Sequence, residues 1–313
     1  VLKIIRAGMQ TTVQDIGRFG YRQAGVGRCG ALDTPSLIIA NALVGNARDA
    51  AGLEVTLGNC VIEFRGAGWF ALTGADCDAE LDGRPVWTGW RLAYRNGQRL
   101  ALKLPRHGMR SYLAVAGGLN VPDVMGSRST DLKGGFGGFK GRQLADGDAI
   151  AIGDARLEFR ASAGVKQLLW GNRIRVLPGP EYHEFSEQSR DDFWRFPWHL
   201  SPRSDRMGYR LQGQALARTE QRELLSHGLL PGVIQVPHNG QPIVLMNDAQ
   251  SMGGYPRIAV IIEADLYHLA QIRLGEPIHF VRCTLEEALK ARHDQRLYLD
   301  QLAWRLQQEA DAQ

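Results

Sequence analysis

Apolar and polar positions alternate one by one along much of the first half of the chain. Cys60, Ile62 and Phe64 alternate with Val61, Glu63 and Arg65, and Leu100, Leu102 and Leu104 alternate with Ala101 and Lys103. A period of two marks strands with one face buried. Between such stretches stand Asp82-Gly83, Asn96-Gly97, Asp146-Gly147 and Asn239-Gly240. These dipeptides supply the positive φ angles of tight turns, so each predicts a hairpin. The strongest case is VIQVPHNGQPIVLM (233–246), with apolar strand residues on both sides of its turn.

Helical patterns are few. Thr34 and Pro35 open SLIIANALVG, with Gly45 as its stop, and EADLYHLAQ (263–271) predicts a second short helix. The longest follows Thr284, whose spacing to Glu287 fits a capping box. Its apolar positions, Leu285, Ala288, Leu289, Leu299, Leu302, Ala303 and Leu306, form a broken stripe. That predicts a helix packed on a β domain rather than a coiled coil.

The turn-and-strand rhythm is lost across GDARLEFRASAGVKQLLWG (153–171). This places a first β-barrel domain over 1–152, a linker over 153–170, a second over 171–283 and a helix over 284–313. RFGYR (18–22) recurs as RMGYR (206–210), each preceded by an aspartate, Asp15 or Asp205, which favours two related barrels.

Composition narrows the class. Glycine accounts for 37 of 313 residues, about 12% against roughly 7% in ordinary proteins. No three-residue period carries the excess, and the 44% hydrophobic content is that of a globular chain. With 37 basic and 33 acidic residues the net charge is +4, without a dense basic run that would track nucleic acid. No apolar run approaches the length of a membrane span, and no signal peptide is expected at VLKIIRAGMQ. Cys29, Cys60, Cys77 and Cys283 are scattered, so they are expected as core residues in a reducing, cytoplasmic setting.

Several motifs bear on chemistry. Gly25, Gly27 and Gly30 spell G-x-G-x-x-G, but the preceding segment is polar and the helix starts only at Pro35, which rules against a dinucleotide fold. GSRSTDLKGGFGGFKGR (126–142) combines six glycines with Ser127, Ser129, Thr130, Lys133 and Lys140. Bare N–H groups, hydroxyls and cations suit a phosphate, although a solvated surface loop would have the same composition. NDAQSMGGYPR (247–257) is longer than a hairpin needs and offers Asp248, Gln250, Tyr255 and Arg257 around Gly253 and Gly254. A polar ring would suit such a set, and so would a structural bulge. Asp15 near Arg18 and Asp205 beside Arg206 are either ion pairs or anion-binding arginines. The eight histidines form no closely spaced ligand pair, and no G-x-S-x-G elbow occurs.

TTVQDIGRFGYRQAGVGRCGALD, GLEVTLGN, MRSYLAVAGGLNVP, GSRSTDLKGGFGGFKGR, SDRMGYRLQG and LLPGVIQVPHNGQPIVLMNDAQSMGGYPRIA together resemble the biotin-dependent carboxyltransferase-like family. The likeness runs from the first residues to about residue 289. That family includes one component of bacterial ATP-dependent 5-oxoprolinase, the carboxyltransferase region of urea carboxylase, and a regulator of a sporulation kinase inhibitor. The resemblance implies a mainly β protein of two cyclophilin-like β-barrel domains with a few short helices and a C-terminal helix. It also implies a direct partner, the 5-oxoprolinase B subunit, with which such a chain phosphorylates 5-oxoproline using ATP and magnesium. A further component, the A subunit, would then hydrolyse the activated product to glutamate. Phosphoryl transfer needs positioning and positive charge. For catalysis the sequence offers Asp205, Arg206 and Arg257. For substrate it offers Asp15, Arg18, Asp248, Gln250, Gly253, Gly254 and Tyr255. For phosphate or nucleotide it offers Ser127, Ser129, Thr130, Lys133, Gly134 and Gly135. The chain departs from the family pattern at Ser251-Met252, Leu32 and Leu274, and it carries no A-M-K-M-like lysine for covalent biotin. A carboxyltransferase taking carboxyl groups from a separate biotin carrier, or a non-catalytic regulator, are the alternative expectations.

Overall fold

Alternation becomes burial directly in Cys60–Phe64, where Cys60, Ile62 and Phe64 are fully buried and the residues between them are not. The computed structural model describes residues 1–219 and 223–311. Two compact units emerge. The first holds Val1–Phe19, Cys29–Leu169 and the helix from Leu297 onward, and the second holds Gly20–Arg28 and Trp170–Arg296.

The first unit is built from β1 (Leu2–Arg6), β2 (Gln10–Gln14), β3 (Gly52–Thr56), β4 (Cys60–Phe64), β5 (Gly68–Asp76), β6 (Ala79–Leu81), β7 (Arg84–Val86), β8 (Trp90–Tyr94), β9 (Arg99–Leu102), β10 (His107–Val115), β11 (Ala149–Ile150) and β12 (Ala163–Gly164). They form two six-stranded sheets, β11-β1-β4-β9-β6-β7 and β12-β8-β5-β10-β3-β2. Side chains from both sheets share one core, in which Phe64 stacks on Tyr94 at 4.0 Å. Helix α1 (Thr34–Leu43) lies on β5 and β10, capped by Asp33, whose carboxylate accepts from the Ser36 N–H at 3.0 Å.

Asp82-Gly83 is the expected two-residue hairpin, with φ of 49° and 78° and Leu81 paired to Arg84. Asn96-Gly97 is not a hairpin. β8 pairs with β5 and β12, whereas β9 pairs with β4 and β6, so this turn carries the chain from one sheet to the other. Asp146-Gly147 likewise has no strand before it and leads into β11, which pairs with β1. A positive φ fixes a local reversal and says nothing about which strand is the partner. β9 ends at Leu102, which leaves Leu104 64% exposed rather than in register with Leu100. The stretch 153–170 is built into the first unit through β12 and Phe159, whose ring lies 3.6 Å from the buried Arg91 guanidinium.

The second unit contains β13 (Arg173–Pro178), β14 (Trp198–Leu200), β15 (Gly208–Gln212), β16 (His227–Gly228), β17 (Val233–Gln235), β18 (Ile243–Leu245), β19 (Met252–Gly253), β20 (Arg257–Ile261) and β21 (Pro277–Arg282). Seven of them close a barrel in the order β13-β20-β17-β18-β15-β14-β21, sealed by the parallel pair β13–β21. The Asn239-Gly240 turn joins the antiparallel pair β17–β18, as expected. Helix α2 (Glu187–Arg195) has no counterpart among the helices predicted from sequence. It is capped by Ser186 and held by Phe193, which stacks on Phe280 at 4.9 Å. The predicted 263–271 helix is a 3-10 turn (Glu263–Asp265) running into α3 (Leu266–Gln271).

The last helix, α4 (Leu285–Asp311), begins with the expected capping box. The Thr284 N–H donates to Glu287 Oε2 at 2.7 Å, and the Glu287 N–H donates to Thr284 Oγ1 at 3.2 Å. No helix among the described residues is long and apolar enough to cross a membrane. All four cysteines are buried, and none forms a disulfide among the described residues. Burial pushes the Cys60 thiol up to about 12 and the Cys77 thiol up to about 11, which keeps both protonated at neutral pH.

Candidate functional site

The glycine-rich loop 126–142 is folded tightly against the first unit. Asp15 is buried at its root, where Oδ1 accepts from the Gly17 N–H and from the Ser127 hydroxyl, both at 2.8 Å, and from the Ser129 hydroxyl. The Arg128 N–H donates to Oδ2 at 2.5 Å, and the Thr130 hydroxyl donates to the Val13 carbonyl at 3.0 Å. Arg18, 1% exposed, donates to the carbonyls of Val124 and Ser129 and lies over Phe136. Asp131 takes the N–H groups of Gly134 and Gly135, through its carboxylate and its carbonyl respectively. Gly137, Gly138 and Gly141 are needed because the loop packs back on itself there. At Gly141, with φ of 68°, a side chain would collide with the Gly135 carbonyl. The hydroxyls and N–H groups expected to cradle phosphate are thus engaged within the fold, and of that set Lys133 keeps an exposed polar head.

In the second unit Arg206 and Asp248 form a buried bidentate pair, with Nε–Oδ2 2.9 Å and Nη2–Oδ1 3.0 Å. Asp248 also donates its N–H to the Arg206 carbonyl, so the pair ties the turn before β15 to the chain leaving β18. Asp205 is exposed, and its Oδ1 accepts from the N–H groups of Met207 and Gly208. Arg257 pairs with Glu181 through contacts of 2.8 and 2.7 Å. The 247–257 connection contains β19, which pairs with β16 in a separate two-stranded sheet. At Gly253 a Cβ would sit 2.7 Å from Leu229 Cδ1 and 3.4 Å from Gln235 Nε2, so glycine permits this close approach.

What lies above this framework is a groove of about 600 Å³ on the outer face of the barrel. Tyr209, Val244 and Ile234 form a cross-strand row pointing into the barrel. The neighbouring row, Arg210, Ile243 and Gln235, therefore faces out, because successive side chains in a strand alternate faces. Ile243 and Leu245 make an apolar floor, Arg203 and Arg210 supply cations, and Gln212, Gln235, Gln250 and Asn239 supply carboxamides. The groove brings together three residues anticipated from sequence, Asp205, Gln250 and Tyr255. Arg206, Asp248 and Arg257 stand outside its lining, as does the glycine-rich loop.

Arg203, Arg210, Gln212 and Gln235 were missed by motif reading. Arg210 and Gln212 could have been found from the alternation in GYRLQ, where Tyr209 and Leu211 are buried and the residues between are not. Neither the Arg203 nor the Arg210 guanidinium has a carboxylate partner among the described residues. Gln235 is 2% exposed, and its Nε2 donates to the Tyr255 carbonyl at 3.1 Å, which leaves Oε1 as an acceptor. Such a surface presents guanidinium donors that suit an anion and a carboxamide oxygen that suits a hydrogen-bond donor.

Comparison with known proteins places the chain. Residues 24–282 match the family described as carboxyltransferase domain, subdomain A and B. A protein of Escherichia coli strain K12, by name the C subunit of 5-oxoprolinase, is 70% identical over 309 residues, covering 99% of this chain and 100% of that protein. A Haemophilus influenzae protein of the same name is 42% identical over 302 residues, covering 96% and 97%. Among solved structures, the Kluyveromyces lactis urea carboxylase superposes with a TM-score of 0.89 at 27% identity, over 96% of this chain and 29% of that one.

Proposed function

The chain belongs to the carboxyltransferase-domain family and, within it, to the proteins that form the C subunit of 5-oxoprolinase, and on that premise we propose that it is a working part of an ATP-dependent 5-oxoprolinase. The observation that carries this reading is the 70% identity extending over the whole of the E. coli relative. The B subunit is the direct partner and the A subunit the functional one. ATP enters with magnesium shared between this chain and the B subunit, and no biotin is attached to this chain.

The chemistry follows from the stability of a lactam. The carbonyl oxygen of 5-oxo-L-proline attacks the terminal phosphorus of ATP, the bond to the bridging oxygen breaks, and ADP leaves. One water then opens the carbon–nitrogen bond, and a second releases phosphate, leaving glutamate. The first step needs cations and a fixed substrate more than it needs covalent catalysis. Arg203 and Arg210, which have no carboxylate partner among the described residues, supply cations for that purpose, and Asp205, Gln250 and Tyr255 stand in the same groove. Buried as a pair, Arg206 and Asp248 position the groove's edge, and the Glu181–Arg257 pair holds the start of β20. The likeness to urea carboxylase supports a second reading, carboxyl transfer from a biotin carrier on another chain.

Omission separates these readings. This chain together with the B and A subunits is expected to convert 5-oxo-L-proline to glutamate in the presence of ATP, and leaving out any one chain or ATP abolishes the product. Glutamate formed at an undiminished rate without this chain would refute the proposal.

A further inference from the structure

The barrel groove has three properties that together point to one class of ligand. Its cations have no carboxylate partner among the described residues, its floor is apolar and non-aromatic, and its far wall presents a buried amide acceptor. Arg210, Ile243 and Gln235 stand side by side on adjacent strands. Two strand spacings separate the arginine from the glutamine, about 10 Å of backbone. Both side chains line the one groove, and a span of this size suits a compact ring rather than an extended chain.

A guanidinium binds a carboxylate through two parallel N–H donors. An apolar floor of Ile243 and Leu245 suits a saturated ring, because burying its methylenes is favourable and needs no stacking partner. A carboxamide held in place through one of its two N–H groups presents its oxygen as a fixed acceptor. Gln235 meets that description, since its Nε2 is tied to the Tyr255 carbonyl and its side chain lines the groove. A saturated ring with a carboxylate on one side and an amide N–H on the other is a lactam acid.

Resting on the reading proposed above, we infer that this groove is the lactam-acid site, with Arg210 and Arg203 holding the carboxylate and Gln235 Oε1 accepting the ring N–H. This arrangement has a consequence for reactivity. Accepting a hydrogen bond from the ring nitrogen pushes electron density onto the lactam carbonyl oxygen, the atom that must attack phosphorus.

The test is equilibrium binding of radiolabelled 5-oxo-L-proline to the full chain, alone and with the B subunit, set beside the KM and kcat of the three-component assembly. Binding at either level is expected, with 2-pyrrolidinone, which lacks the carboxylate, at least tenfold weaker. Arg210→Gln, on an exposed strand position, is expected to raise the dissociation constant and KM at least tenfold with a smaller change in kcat. Arg210→Lys recovers part of the loss, and Gln235→Met weakens binding without erasing the preference for the carboxylate. The inference is overturned if no lactam binds, if Arg210→Gln and Arg203→Gln both leave binding and KM unchanged, or if an ATP analogue competes for the groove. Lactam-dependent ATP hydrolysis that survives those variants would leave the proposed function standing without this site. Its absence from the unmodified assembly would remove the function itself.

Discussion

At the scale of single residues, the charged groups of the second unit divide by whether they are already paired. Arg206 and Asp248 pair in the interior, so removing one takes a buried counter-charge from the other. Arg206→Ala is expected to destabilise the fold by about 3–5 kcal/mol, read from urea denaturation, as for buried pairs generally. An ordinary denaturation midpoint with lost activity would instead put Arg206 in contact with substrate. Glu181 sets a pH dependence. Burial pushes its carboxyl up, but hydrogen bonds from the Arg257 side chain and backbone outweigh this and hold it below its ordinary 4.5. The unfolded chain therefore takes up this proton at a higher pH than the folded one. The stabilisation is complete above pH 4.5 and is lost as pH falls through the lower folded value. Melting temperature against pH should fall less steeply below pH 4.5 in Glu181→Gln than in the unmodified chain, and an identical acid slope would contradict this assignment.

At the scale of elements, what could be read from sequence was whatever depends on neighbours along the chain. The alternation of β4, the Asp82-Gly83 hairpin and the Thr284–Glu287 box are all local. Thr284→Ala is expected to cost about 1 kcal/mol by removing the acceptor of the Glu287 N–H, checked by thermal denaturation. Features set by distant partners were not legible. Asn96-Gly97 carries a turn signal, yet its flanking strands pair in different sheets. Helix α2 has a polar sequence and depends on Phe193 meeting Phe280, far along the chain. The loop 126–142 was legible as exceptional but not in its role. Its glycines allow close self-packing around Asp15 and Asp131, which the composition of a phosphate cradle resembles. The candidate site was half legible for the same reason. Gln250 and Tyr255 sit in a conspicuous connection, whereas Arg210 and Gln235 become neighbours only because Ile243 pairs with both.

At the scale of the whole molecule, a 313-residue chain presents a closed barrel with a polar groove and a two-sheet unit. Sequence identity assigns it to the proteins that form the C subunit of 5-oxoprolinase, while the fold is shared with a urea carboxylase. The two readings proposed from these relations differ in chemistry, ATP-driven opening of a lactam or transfer of a carboxyl group from biotin. The decisive measurement follows ADP and glutamate together in the complete assembly, with and without 5-oxo-L-proline and with and without avidin. Both products are predicted to appear one for one, only when the lactam is present, and at a rate avidin does not change. ADP formation indifferent to the lactam, or glutamate formation abolished by avidin, would contradict it.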